Sequence, residues 1–144
     1  MPRDSIRIRV AFVDVDASQR IHYTAWFRYM ESAEHQLMRD LGVPYATASV
    51  LRGYGFPRVH LEADFQGAIG FDDVLAVEAW VERVGTSSWT IAFAGRHAPG
   101  TPKAERDMEQ PSLATGRMTV VCMDPKTKRA TPLPAELREA LSQA

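Results

Sequence analysis

Two aspartates, Asp14 and Asp16, sit one residue apart, just ahead of His22 and the start of a long helical pattern. A carboxylate on a turn before a helix can act on an activated carbonyl in two ways. It can attack the carbon and form an anhydride, or it can take a proton from the water that attacks instead. The helix end offers the complementary group. Its first N–H groups have no intrahelical acceptor and lie at the positive end of the helix dipole, so they stabilise the oxyanion of a tetrahedral intermediate. Taken alone, each residue also has a plainer use. Asp14 reads as a turn or loop-capping carboxylate, and Asp16 in isolation reads as one that caps nearby N–H groups. His22 has the near-neutral pKa to orient Asp16 or shuttle a proton, but it equally suits a half-buried histidine bonded to backbone.

The elements that must position these groups follow from periodicity. Ile6, Ile8, Val10 and Phe12 alternate with polar or small residues, which predicts a strand ending in the acidic turn at 14–19. From Thr24 the spacing changes: Trp26, Tyr29, Met30, Ala33, Leu37 and Leu41 form one helix face, with Thr24 as N-cap and Gly42-x-Pro44 as the stop. Pro44 opens a short second helix through Leu51. Strands are predicted around Val59–Phe65, over 74–84, around Trp89–Phe93 and over 113–123, with a hairpin at Gly85-Thr86-Ser87. The polar, proline-marked segment 99–112 reads as a long mobile hairpin loop, and a short helix is expected over 134–141. Strands that do not alternate with helices predict an α+β fold, an antiparallel sheet packed by one helix, in a single domain over 1–144.

Composition narrows the function. The 144 residues carry a net charge of −1, which gives no basic footprint for nucleic acid. No segment approaches the roughly 20 apolar residues of a membrane span, and the start lacks a signal-peptide core, so a cytoplasmic location is expected. Cys122 is the only cysteine, which excludes a disulfide framework. His22, His35, His60 and His97 have no metal-ligand spacing, and there is no phosphate loop and no Gly-x-Ser-x-Gly elbow. Neither metal nor cofactor is expected.

The run from Phe12 to Glu31 resembles the hotdog-fold thioesterases, specifically the 4-hydroxybenzoyl-CoA thioesterase-like family. The aromatic-x-Asp-x-Asp turn is Phe12-Val13-Asp14-Val15-Asp16, and the aromatic pair opening the helix is His22-Tyr23. A second segment, Phe71-Asp72-Asp73-Val74-Leu75 leading to Glu78 and Ser87-Ser88-Trp89, is similar too. The resemblance implies a long central helix wrapped by a five-stranded antiparallel sheet, with two subunits joined edge to edge and dimers pairing into tetramers. It implies hydrolysis of an acyl-CoA, or of an acyl carrier protein thioester, at a site between subunits. Asp16 is then nucleophile or general base, the Tyr23 N–H polarises the carbonyl, and His22 assists. Trp26 and Phe27 would line the acyl pocket, although aromatics at helical spacing are more often core, and Ser87 and Ser88 would meet the pantetheine arm across the interface, although hairpin polarity explains them almost as well.

Gln19 stands where that family usually has glycine, which predicts an altered loop backbone, and Ala25 replaces a small polar residue. The hairpin lacks the aryl-CoA member's basic cluster, which leaves Lys126, Lys128 and Arg129, or Arg58, for the CoA phosphates. Glu31, on the helix where other hotdog thioesterases carry a carboxylate, reads here as a solvated or interface charge. Two other functions compete. A non-catalytic acyl-CoA-binding domain would explain Gln19 and Ala25. A hydratase or dehydratase would need a stronger His–carboxylate pair than Asp16 and His22.

Overall fold

The computed structural model describes residues 4–106 and 112–143. Strand β1 (Asp4–Arg9) leads through a single 3-10 turn at Phe12–Asp14 into helix α1 (Tyr23–Asp40). After a connection whose only helical piece is a 3-10 turn at Ser49–Leu51 come β2 (Arg58–Phe65), β3 (Val74–Val84) and β4 (Ser88–His97). A short helix α2 (Pro102–Arg106), β5 (Ala114–Val121), a small hairpin of β6 (Met123–Asp124) and β7 (Arg129–Ala130), and helix α3 (Ala135–Ser142) complete the described chain. The main sheet is antiparallel throughout, in the order β1-β3-β4-β5-β2. No helix among the described residues is long and apolar enough to cross a membrane.

Alternation explains the sheet's two faces. Leu75, Val77, Ala79 and Val81 of β3 and Trp89, Ile91 and Phe93 of β4 are buried toward α1. The helix answers with Trp26, Met30, Ala33 and Leu37 at helical spacing. Glycines let the two layers approach. A Cβ on Gly95 would lie 2.7 Å from the Trp26 ring, and one on Gly116 would lie 2.7 Å from the Met30 thioether. Trp26 also donates its indole N–H to the Thr115 carbonyl at 3.2 Å. It is core, fully buried, the reading its helical spacing favours: its ring is consumed in holding the helix to the sheet rather than in lining the cleft of this chain. Phe27 is half-buried against the same core.

The structure also corrects three element assignments. The helix starts two residues earlier than expected, at Tyr23, because His22 rather than Thr24 is its N-cap. Pro44 opens turns and the Ser49–Leu51 3-10 turn instead of a second α-helix. The segment 99–112 is not simply a loop, because α2 occupies part of it and Lys103 binds the buried Asp73 at 2.6 Å. Residues 107–111 of that segment lie outside the described residues.

Strand β2 is an outer strand, and only one of its edges is paired, to β5. Its Val59, Leu61 and Phe65 are exposed although Leu61 and Phe65 lie opposite the buried Met118 and Ala114. The helix is packed toward β1, β3 and β4 and leaves this corner uncovered.

A buried carboxylate ties the long connection to the helix. Glu34, 1% exposed, accepts from the Tyr45 hydroxyl at 2.6 Å and from Arg58 at 2.7 Å, with the Arg58 guanidinium over the Tyr45 ring. Burial pushes the Glu34 carboxyl upward, against the Tyr45 hydrogen bond and the Arg58 charge. Removing one partner of such a pair strands the other. Glu34→Ala is therefore expected to lower the unfolding free energy by about 3 kcal/mol in urea denaturation, and Glu34→Gln by clearly less, because the amide oxygen still accepts.

Candidate active site

The turn between β1 and α1 is a miniature hairpin built by its own backbone. The His22 N–H donates to the Asp14 carbonyl at 2.8 Å, Val15 and Ile21 form a bridge, and the Asp16 N–H donates to the Arg20 carbonyl at 3.0 Å. The tip closes with Gln19 N–H donating to the Asp16 carbonyl at 2.9 Å. Gln19 has φ of +64°, the left-handed region that favours glycine. The expected change of loop backbone is thus not needed: the side chain is carried in the conformation a glycine would adopt. Ala25, the other departure, is buried at the foot of the helix.

Asp16 is exposed at the tip. Its Oδ1 accepts from the Ser18 N–H at 2.8 Å and from the Ser18 hydroxyl at 2.5 Å. These bonds from Ser18, side chain first, hold the carboxyl below the usual carboxylate range. Among the described residues nothing donates to Oδ2. Ser18 was not singled out from the sequence, although Asp-x-Ser is the pattern of an Asx turn.

Tyr23 is the first residue of α1, and no acceptor among the described residues takes its N–H. That is the bare donor expected at a helix mouth. His22 is half-buried and caps the helix: its Nδ1 accepts from the Thr24 N–H at 3.2 Å and lies 2.7 Å from the Thr24 hydroxyl. Its ring stacks, tilted, on Tyr23 with centroids 4.3 Å apart. With Nδ1 occupied, the ring acts first as a structural cap.

Asp16, Ser18, Arg20, Ile21 and Tyr23 share a cleft of about 240 Å³ with Phe65, Gly67 and Ile69. The last three come from the end of β2 and the loop after it, so no local pattern in the sequence pairs them with Asp16. A larger recess of about 360 Å³ lies beside α2, but its Arg9 and Lys103 are committed to Asp72 and Asp73. Chemistry therefore favours the smaller cleft.

The other expected residues lie elsewhere in the chain. Ser87 and Ser88 border the β3–β4 turn, where the Ser87 carbonyl accepts from Cys122 N–H and the Ser88 carbonyl from Gly85 N–H. They are at the far end of β3 from the cleft, roughly 35 Å away at about 3.3 Å per strand residue. Within one chain they do not meet Asp16. Glu31 is exposed. Arg58 is held by Glu34 and by the Phe56 carbonyl, whereas Lys126, Lys128 and Arg129, exposed on the β6–β7 hairpin, have no ion pair among the described residues. Cys122 is buried, and burial pushes its thiol up, which fits inert packing.

The model of the thioesterase-like superfamily matches residues 4–141. A putative esterase of Aquifex aeolicus is 32% identical over 89 residues, covering 60% of this chain and 67% of that protein. A 1,4-dihydroxy-2-naphthoyl-CoA hydrolase of Prochlorococcus marinus is 29% identical over 98 residues, covering 63% of this chain and 65% of that protein. The alignments thus span about two thirds of these relatives' lengths. Among solved structures, a 1,4-dihydroxy-2-naphthoyl-CoA thioesterase from Synechocystis superposes with a TM-score of 0.82 at 15% identity, covering 98% of this chain and 96% of its own. A 4-hydroxybenzoyl-CoA thioesterase mutant, complexed with 4-hydroxybenzoyl-CoA, gives 0.80 at 22% identity, covering 96% and 98%. At these identities the likeness establishes the architecture, the hotdog fold.

The left-handed residue at the tip makes a direct prediction. Gln19→Gly relieves the Cβ strain but gives the unfolded chain more freedom, so it is expected to change stability by no more than about 1 kcal/mol, toward stabilisation, in thermal unfolding.

Proposed function

The chain belongs to the thioesterase-like superfamily, and from that premise we propose that it is an acyl-CoA thioesterase acting through Asp16 and the N–H of Tyr23. The observation that carries the proposal is the shared cleft: a carboxylate with one oxygen anchored and one free, beside a helix-mouth N–H without an acceptor. Water and thioester give carboxylic acid and free CoA. The thioester oxygen sits on the Tyr23 N–H, which strengthens its bond as negative charge develops there. Asp16 Oδ2 either takes a proton from the attacking water or attacks the carbon to give an anhydride that water then opens. The C–S bond breaks as the tetrahedral intermediate collapses, and the thiolate takes up a proton. Ile21, Ile69, Phe65 and the Tyr23 ring provide the apolar wall for the acyl group.

A second copy of the chain completes this reading. The free edge of β2 and its exposed Val59, Leu61 and Phe65 suit pairing with another β2. Antiparallel pairing of two such strands brings the Arg58 end of one against the Phe65 end of the other. The partner's β3–β4 turn, with Ser87 and Ser88, and its basic β6–β7 hairpin then approach this cleft from outside. That is how residues roughly 35 Å apart in one chain come to serve one site, with Lys126, Lys128 and Arg129 toward the CoA phosphates. The case for a non-catalytic domain weakens, since Gln19 adopts the glycine conformation and Ala25 is core.

A thiol-release assay over aromatic and short to long aliphatic acyl-CoAs tests the proposal. Asp16→Asn is expected to fold and dimerise normally and to lose hydrolysis by orders of magnitude; turnover near wild type would remove Asp16 from the mechanism. Wild-type silence across the panel, with folded protein, would point to a carrier-bound substrate or a binding domain. The pH profile gives an independent check. Asp16 must be ionised, so kcat/KM stays level through the ordinary carboxylate range and falls only as pH drops through its lowered pKa. Ser18→Ala removes the hydroxyl that lowers it, so the acid limb is expected to move to higher pH.

A further inference from the structure

Asp14 is the one carboxylate of the turn that the proposed chemistry does not use, and it is 5% exposed. Both of its oxygens are occupied from the shaft of α1. Oδ1 accepts from the Arg28 guanidinium, and Oδ2 accepts from the Tyr29 hydroxyl at 2.8 Å. Its backbone carbonyl takes the N–H of His22, the helix cap. A single residue therefore grips the helix at its mouth and again more than a turn further along. Two attachment points fix an angle, where one would leave a hinge. We infer that Asp14, clamped by Arg28 and Tyr29, is a positioning residue that sets the tilt of the turn against α1 and so the placement of Asp16 relative to the Tyr23 N–H.

Three further observations support this. First, nothing else described ties the tip of the turn to the helix shaft; Asp16, Ser18, Gln19 and Arg20 bond among themselves, or to Gly70 through the bridge from Arg20. Second, the arrangement is charged across the neutral range. Burial by itself would raise the Asp14 carboxyl, but the hydrogen bonds from Arg28 and Tyr29 and the Arg28 charge outweigh it and hold the carboxyl below its usual range. Third, the Tyr29 hydroxyl is buried with Asp14 as its acceptor, so loss of the carboxylate leaves a buried donor unpaired. A plain N-cap would need none of this, because capping is already performed by His22.

The inference rests on the thioesterase reading for its catalytic consequence, but not for its structural one, and the test separates them. The catalytic arm measures kcat and KM for Asp14→Asn, Tyr29→Phe and the double variant Asp14→Asn/Asp16→Asn in the full chain, on an acyl-CoA the wild type turns over. Misplacement of the reacting groups is expected to lower kcat by about 100-fold in Asp14→Asn with KM within about twofold, and by less in Tyr29→Phe, which loses one bond and keeps the charge. In the double variant the Asp14 change is expected to cost nothing further, because it acts through Asp16. Wild-type kcat in a folded Asp14→Asn protein, or full additivity in the double variant, overturns the catalytic role.

The structural arm is native-state hydrogen exchange at the amides of Asp16, Gln19 and His22, which donate within the turn. Faster exchange confined to these amides in Asp14→Asn and Tyr29→Phe is expected. Unchanged exchange there, or acceleration spread evenly over α1 and the sheet, overturns the clamp, whether or not any acyl-CoA is hydrolysed. If Asp14→Asn fails to fold, Tyr29→Phe carries both readouts.

Discussion

The structure depends on how closely α1 can lie on its sheet. Two strand positions must lack a side chain for that approach, Gly95 beneath Trp26 and Gly116 beneath Met30, since a Cβ at either would fall well inside van der Waals contact. Interiors pack at crystal density, so a helix lifted to make room would lose contacts along its whole apolar face. With the helix seated, its axis is fixed, and so is the place where its first N–H groups emerge, at the sheet end where β1 stops and β3 begins. A helix mouth is useful for catalysis only if its position is set by something rigid. Here the largest core side chains set it, which is why Trp26, adjacent to the site in sequence, is unavailable to line it.

Given that frame, the two aspartates of the turn are separated by environment rather than by type. Asp14 is withdrawn from water and has both oxygens occupied by donors, the only condition under which a buried carboxylate is tolerable. Asp16, two residues on, is exposed with one oxygen held and one free. The same side chain is held from two sides in one place and has an oxygen open to solvent in the other. Their pKa values are both lowered, yet for different reasons: a guanidinium and a phenol overcoming burial in one case, a neighbouring serine in the other.

Much of this was legible in the sequence where periodicity carries information. The span of β3 was read to the residue, and the helix to within two residues of its start, because apolar spacing in both elements records burial on one face. What periodicity cannot report is which apolar face has a partner. Leu61 and Phe65 alternate like core residues but are exposed, because the helix packs on β1, β3 and β4 and meets β2 at its Arg58 end. For Trp26 both pocket and core were open, and its place on the apolar helix stripe was the signal that matched its burial. Capping by His22 was missed because a ring nitrogen took the role sought in the Thr24 oxygen. Glu34 gave no local signal at all, since Tyr45 and Arg58 reach it from 11 and 24 residues away. The tip of the turn illustrates the limit most clearly. Gln19 predicts the wrong backbone from its residue type, and only the closed hydrogen-bond ladder around it holds a side chain where glycine would be easier.

The cleft of a single chain is open to solvent. Charges facing bulk water interact through a dielectric near 80, whereas groups at a protein boundary feel an effective value nearer 20, about a fourfold gain for the same geometry. In a single chain Asp16 and the Tyr23 ring face solvent, so a helix-mouth N–H there would compete with water for an oxyanion. In the proposed dimer, covering the β2 edge would change this without moving Asp16 or Tyr23. It would bury Phe65 beside the cleft, remove water from the path of a thioester, and bring in polar and basic residues that the chain itself holds too far away. On the proposed dimer, a fold that leaves one strand edge and its apolar corner bare would make its reaction centre dependent on assembly. The rigid half of the proposed site, helix mouth and turn, is built within each chain, and the half that excludes solvent would come from the partner.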